Sequence, residues 1–422
     1  MIQKATLQNG IRVIAEPMEN YRSVSMGVWV GAGSIYEDET IAGVSHFIEH
    51  MLFKGTSRRT AGDIAGEMDA LGGNLNAFTA KECTCFYAKV LDEHMRRTAD
   101  ILEDLVRHAK LDAEDIAREK GVVCEEILMM QDSPEDLVHE ALGEAMYGQT
   151  PLGKPILGSE SSVRALTRED IGAYMARRYR PDNMVIACAG HFVLPQLVDM
   201  LNEVFAGGEA GLAQKEALPQ SRLIEARRFT ALEKDVEQVH LCLGFPGFAA
   251  DTKEHFALLL LNNALGGSMS SRLFQSIREE RGMAYSVYSY PSAFCDTGYF
   301  ALYAGTGEKQ AAEVAELMLA EAAKVKAEGI TPQEFKRAKE QLKGSYMLSQ
   351  ESTSARSGAI GRSELLRGRA YEEEDMLLRI EEVRMEDVAA ILPTVLDTGR
   401  MACTVIGRAK QHRAVQKVID KA

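Results

Sequence analysis

The sequence predicts an α+β protein of two homologous domains, each a largely antiparallel β-sheet packed with helices. Three observations lead there. Strand-like segments are grouped apart from long helical ones instead of alternating with them. The order of segments in the first half recurs in the second. A length of 422 residues also exceeds what one hydrophobic core ordinarily serves.

The first half opens on two short apolar runs, Ile11 to Glu16 and Val24 to Val30, which read as strands. A helical stretch from Ala42 to Leu52 follows, then a turn and two β-rich segments, NLNAFTA and TCFYAKV. Long helical stretches come next, among them Asp112 to Met130, and the half closes on the strand MVIACAG at 184–190. Between Ala206 and Arg222, glycines, a proline and small polar residues interrupt the apolar periodicity. The second half then repeats the order. Arg228 to Leu232 and Val239 to Phe245 are its strands, Glu254 to Leu265 its helix, AYSVYSY and GYFALYA its β pair. Further helices follow, YEEED at 371–375 reading as a solvated helix start, and MACTVIG at 401–407 closes the half. The expected organisation is a domain at 1–206, a linker at 207–222 and a second domain at 223–422.

Composition narrows the function class. Apolar residues make up 46% of the chain and charged ones 26%, the balance of a soluble globular enzyme. No apolar run approaches the roughly 20 residues that span a bilayer, so no membrane association is expected. The first twenty residues show no apolar secretion core or cleavage site, and the expected location is cytoplasmic. Seven scattered cysteines without a paired CxxC suit reduced, mostly buried thiols. Lys and Arg total 48 against 62 Asp and Glu, a net charge of −14. That balance disfavours nucleic acid and mildly favours basic ligands.

The chemistry concentrates at His46-Phe47-Ile48-Glu49-His50. Residues four apart on a helix share a face, so His46 and His50 can offer two imidazole nitrogens to one metal ion. Glu49 lies about 60° round the helix from His46, close enough to hold a water on that metal without ligating it. A catalytic zinc needs a third protein ligand. The segment 112–130 offers Glu119 and Glu126, which seven residues place within about 20° of each other on one face. Glu125 lies about 100° from that face and is the weaker candidate. The corresponding helix of the second half, FALLLLNNALGG from Phe256, has no such pair, so one metal site per chain is expected.

HFIEH followed by MLFKGT, GGNLNAFTAKE and EKGVVCEEI resembles the inverted-zinc-motif metallopeptidases. That family includes pitrilysin, insulin-degrading enzyme and the β subunit of mitochondrial processing peptidase, and the likeness extends over essentially the whole chain. It implies Zn2+ held by His46, His50 and Glu126, with Glu49 as general base and Glu119 orienting a ligating histidine. It implies that Gly73 to Thr79 is an edge strand on which an extended peptide pairs, through Asn76, Ala77 and Phe78. SRLFQSIREERGMAYSV resembles the family's Arg/Tyr element. There Arg278 would bind substrate backbone and Tyr285 would donate to the oxyanion. The implied activity is zinc-assisted endopeptidase hydrolysis of unfolded or extended peptides, as in a two-domain, processing-peptidase-like bacterial member.

The resemblance further implies a dimer in which the zinc half-site of one subunit faces Arg278 and Tyr285 of the other. A homodimer suffices, because one chain carries both elements; a heterodimer with a zinc-less homologue is the alternative. Two other readings are weaker. A non-catalytic scaffold, like the respiratory-complex core proteins of this fold, would have a degraded motif, whereas here every element is intact. The glycine turns Gly31-Ala32-Gly33-Ser34 and Gly266-Gly267-Ser268 lack the GxxxxGK[ST] frame of a nucleotide site.

Overall fold

The computed structural model describes residues 1–207 and 217–422. Its strands in chain order are β1 (Gln3–Thr6), β2 (Arg12–Pro17), β3 (Ser23–Val30), β4 (Asn74–Thr79), β5 (Thr84–Leu91), β6 (Met184–Gly190), β7 (Arg228–Glu233), β8 (Gln238–Pro246), β9 (Ala284–Ala293), β10 (Gly298–Gly307) and β11 (Ala402–Gly407). They form two sheets, ordered β1-β2-β6-β3-β5-β4 and β7-β11-β8-β10-β9. β2 pairs parallel with β6, and β7 with β11; every other pairing is antiparallel. The α+β class is therefore as expected.

The two sheets share one topology. Setting β1 aside, each runs first strand, last strand, second, fourth, third. β4 and β9 consequently occupy the same position, each an edge strand paired on one side only. The short, half-exposed β1 is an addition that the apolar pattern did not announce, because none of its four residues is fully buried and only Ala5 is apolar.

The chain divides into two compact units that are discontinuous in sequence. The first comprises Met1–Ile127, Pro155–Pro219 and Met347–Glu373; the second comprises Leu128–Lys154, Gln220–Tyr346 and Glu374–Ala422. The expected contiguous halves, 1–206 and 223–422, are thus each interrupted by a helical piece that packs with the other half's sheet. An amphipathic helix must bury its apolar face, but its periodicity does not say which sheet covers it. The division between units at 219 and 220 falls inside the expected linker, of which 208–216 lie outside the described residues.

In the first unit, α1 (Val44–Leu52), α2 (Ala61–Ala70) and α3 (Met95–His108) cover one sheet face. Phe47, Ile48, Met51, Leu52, Ile64, Met68, Leu102 and Leu105 meet Met26, Val28, Phe86 and Ile186 in that core. The helix Thr353–Arg367 covers the other face, with Ile360 and Leu365 packed against Trp29, Val185 and Ala187. This second contact is close. A Cβ at Gly361 would stand 2.2 Å from Trp29 Nε1 and 2.7 Å from the Ala187 Cβ, whereas one at Gly358 would meet nothing within 4 Å. Alanine is the better helix former by about 1 kcal/mol, but overpacking a core costs about 1–3 kcal/mol. Gly361→Ala should therefore lower the melting temperature and Gly358→Ala raise it; thermal unfolding of the two variants checks the contrast.

In the second unit, the helix Lys253–Leu265 stands where α1 stands in the first, and it is apolar on most sides. Between it and the edge strand β9 runs a π-helical turn, Phe274–Glu279, ending just before the tight Gly282.

Candidate metal centre

The site is built on α1 and on α4 (Ala113–Asp132). The expected start of α1 at Ala42 moves to Val44, because Gly43 adopts φ 91°, a left-handed conformation. A Cβ there would also lie 2.6 Å from the Leu157 carbonyl oxygen, so only glycine fits. The helix has no side-chain cap of the usual kind. Instead the buried Glu37 carboxylate accepts from the Gly43 and Ser45 amides, at 2.6 and 2.8 Å. It thereby satisfies two of the amides that a helix start leaves unpaired, at the end where negative charge is favoured. Burial pushes Glu37 up to about 7, with the two amide donors opposing the rise.

Phe47, Ile48, Met51 and Leu52 are the buried ridge of α1, and they turn His46, Glu49 and His50 to the opposite side. On α4, Ile116, Val123, Cys124 and Ile127 are buried, and Glu119 is buried in the same row. Glu126 is one helical step beyond, half-exposed and facing the histidines, while Glu125 is exposed. The helical phase thus separates the two adjacent acids as expected.

Nε2 of His46 lies 3.6 Å, and Nε2 of His50 3.3 Å, from the same Glu126 oxygen. Among the described residues, His46, His50 and Glu126 are the one group of three or more such donors able to hold a metal ion, with donor atoms all within 4.8 Å. The donor chemistry fits zinc. His50 Nδ1 faces the Glu119 carboxylate at 3.3 Å, which assigns its proton to that nitrogen and leaves a lone pair on Nε2. Nε2 and the Glu126 oxygen are then two acceptors facing each other, an arrangement that a cation between them resolves. Tetrahedral zinc at about 2.0–2.1 Å from its ligands sets donors about 3.3–3.4 Å apart, close to the separations seen. Burial and then the neighbouring His50 lower the pKa of His46 to about 4.

Glu119 would be costly to bury alone. Its second oxygen lies 2.8 Å from Lys54 Nζ, so the carboxylate bridges a lysine and the ligating imidazole. Such a partner raises ligand basicity and fixes the ring.

Glu49 does not join the donor group. Its Oε2 accepts from Thr79 Oγ1 at 2.6 Å. Burial pushes its carboxyl above the ordinary range, the Thr79 hydroxyl and then His50 pull it back, and Glu126 adds to the rise.

Asn76, Ala77 and Phe78 lie on β4, where Ala77 pairs with Phe86 of β5 and the far side of the strand is open. Ala77 faces the α1 side, while Phe78 stands on the other face against Trp29 and Tyr87, with ring centroids 5.6 and 6.1 Å away. Arg278 and Tyr285 are together in the second unit. The guanidinium stacks between the Phe274 and Tyr285 rings at 4.8 and 4.6 Å and donates to the Tyr285 carbonyl at 2.8 Å. The Tyr285 side chain is 75% exposed. The metal donors and this pair therefore belong to different units.

Three residues of the site escaped the reading of the sequence: Thr79, Lys54 and Glu37. Strand parity does put Thr79 on the face of Leu75 and Ala77, and Lys54 stands within MLFKGT, but their partners lie 30 and 65 residues away.

Two imidazoles and a carboxylate converging with an unligated glutamate beside them make a hydrolytic metal centre, set in one of two topologically equivalent α+β units. The chain belongs to peptidase family M16. Residues 12–160 match the family model described as insulinase (peptidase family M16), and residues 165–342 match the one described as the peptidase M16 inactive domain. The zinc protease YmxG of Bacillus subtilis is 43% identical over 92% of this chain and 94% of its own. A zinc protease of Streptomyces coelicolor is 40% identical over 98% and 91%. The same fold appears in a peptidase M16 inactive domain from Pseudomonas fluorescens, at TM-score 0.89 and 23% identity over 97% of this chain and 98% of that one. It also appears in a chain of Complex III2 from Candida albicans, at TM-score 0.84 and 18% identity over 98% and 100%.

Proposed function

We propose that this protein cleaves peptide bonds within extended or unfolded peptides, as a homodimer whose two active sites are shared between subunits. The chain is a zinc metallopeptidase of family M16, whose relatives named zinc proteases are similar along nearly their whole length. The observation that carries this proposal is the open edge of β4 lying beside the His46, His50, Glu126 and Glu49 group.

His46, His50 and Glu126 would hold the zinc, and Glu119 with Lys54 keeps His50 oriented. Zinc, when bound, supplies Lewis acidity that makes a coordinated water acidic near neutral pH. A peptide laid along β4 in extended form pairs through main-chain hydrogen bonds, which depend little on its side chains. Glu49 accepts the proton of the attacking water and returns it to the leaving amine. Tyr285 donates to the oxygen that gains charge, and Arg278 holds the substrate backbone. Since β-pairing requires free main-chain groups, folded proteins are poor substrates. A homodimer supplies both the zinc half-site and the Arg278/Tyr285 pair from one kind of chain. A cytoplasmic, reducing setting suits the seven free cysteines, six of them buried.

Incubation of the zinc-loaded protein with a library of unstructured peptides and with a stable folded protein tests the reading. Internal cleavage of the peptides, sparing of the folded protein, loss of activity with a chelator and recovery with zinc are expected. Removal of single terminal residues only, or activity indifferent to the chelator, would overturn it.

A further inference from the structure

We infer that Thr79 is the positioning residue for Glu49. The inference rests on the peptidase reading above and goes beyond it by assigning a role to a residue outside the metal-ligand set. The Thr79 hydroxyl donates to Glu49 Oε2 at 2.6 Å, and the Thr79 backbone amide also favours the ionised carboxylate. Among the described residues, no other residue donates a hydrogen bond to Glu49.

A glutamate has three rotatable side-chain bonds, and a base that must meet one water proton at hydrogen-bond distance cannot be left to sample them. Thr79 removes that freedom by holding one carboxylate oxygen through its hydroxyl. The other oxygen remains for the proton in transit. The carboxylate is also kept from swinging toward the histidines, where it would compete with Glu126 as a ligand.

The place of Thr79 in the fold adds a second consequence. It is the last residue of β4, and it shares a strand face with Leu75 and Ala77, on the side of α1. The strand whose open edge receives the peptide therefore also holds the base. Main-chain pairing along Asn76–Phe78 orders the strand that ends in the base's hydrogen-bond donor, so substrate placement and base orientation share one rigid element. The β-branched side chain suits this use, because Thr has few χ1 rotamers and the strand restricts them further.

Thr79→Val keeps shape and removes the hydroxyl; Thr79→Ser keeps the hydroxyl. With zinc content and melting temperature measured on each, Thr79→Val is expected to lower kcat about ten- to hundredfold, as loss of an orienting partner does. KM for an unstructured fluorogenic peptide should change little, and Thr79→Ser should restore most of kcat. A readout independent of turnover comes from cobalt-substituted protein. The midpoint of its visible spectral change with pH should rise in Thr79→Val and stay near wild type in Thr79→Ser. A zinc-loaded Thr79→Val protein with wild-type kcat and an unmoved cobalt midpoint would overturn the inference, as would a serine variant no better than valine. If the wild-type protein cleaves no peptide, the functional reading fails by itself. The cobalt midpoints still decide the role of Thr79 in that case.

Discussion

A Glu49→Gln protein will bind zinc in full and turn over peptide about two to four orders of magnitude more slowly. The substitution isolates proton transfer, because everything else is retained. The three metal donors belong to other residues. The glutamine carbonyl can still accept the Thr79 hydroxyl that Glu49 Oε2 accepts at 2.6 Å. The side chain keeps its length and its place on the side of α1 opposite the buried ridge. What disappears is the ability to take a proton from water and deliver it to the leaving nitrogen. Zinc stoichiometry by metal analysis and kcat on an unstructured peptide are the measurements. Undiminished turnover in a fully zinc-loaded Glu49→Gln protein would exclude Glu49 as the base.

The second large effect is recovery of activity by mixing two dead proteins. Glu49→Gln inactivates the zinc half-site and Arg278→Ala the opposite half. If each active site combines halves from two chains, a mixed dimer contains one fully wild-type site and one doubly altered site. Random co-refolding of equal amounts makes about half of the dimers mixed, so about a quarter of wild-type activity should return. The structure motivates the experiment by holding Arg278 and Tyr285 in the second unit, with the guanidinium stacked and the Tyr285 phenol exposed. Mixed dimers isolated with two different affinity tags and found inactive would refute site sharing and leave the single-chain chemistry untouched.

Much of this site is legible in the sequence, for local reasons. The four-residue spacing of His46 and His50 acts within one helix turn. The choice of Glu126 over Glu125 follows from the helical phase, and the structure leaves Glu125 exposed while Glu126 faces both imidazoles. The repeat was legible as well, because strand and helix periodicities survive in order even where residues differ. MVIACAG at 184–190 matches β6 from end to end, since a central strand buried on both faces is apolar throughout.

What escaped were relations between distant segments. The helix Thr353–Arg367 belongs to the first unit and Leu128–Lys154 to the second, although each lies in the other half of the chain. Their apolar faces announce burial but not the partner. The glycine at 361 reads as a weak point in a helix until Trp29 is found against it. Glu37 reads as one more surface acid until it is found capping the helix that carries the site.

The sequence by itself determined that His46, His50 and Glu126 could converge with Glu49 beside them, and the doubled α+β plan, because helical phase and strand alternation are written at short range. Only the tertiary structure decided that Lys54 secures Glu119, that Thr79 secures Glu49, and which sheet each exchanged helix covers. Those are contacts between segments far apart in the chain. Their energy comes from desolvated hydrogen bonds and close packing that exist only once both surfaces are in place.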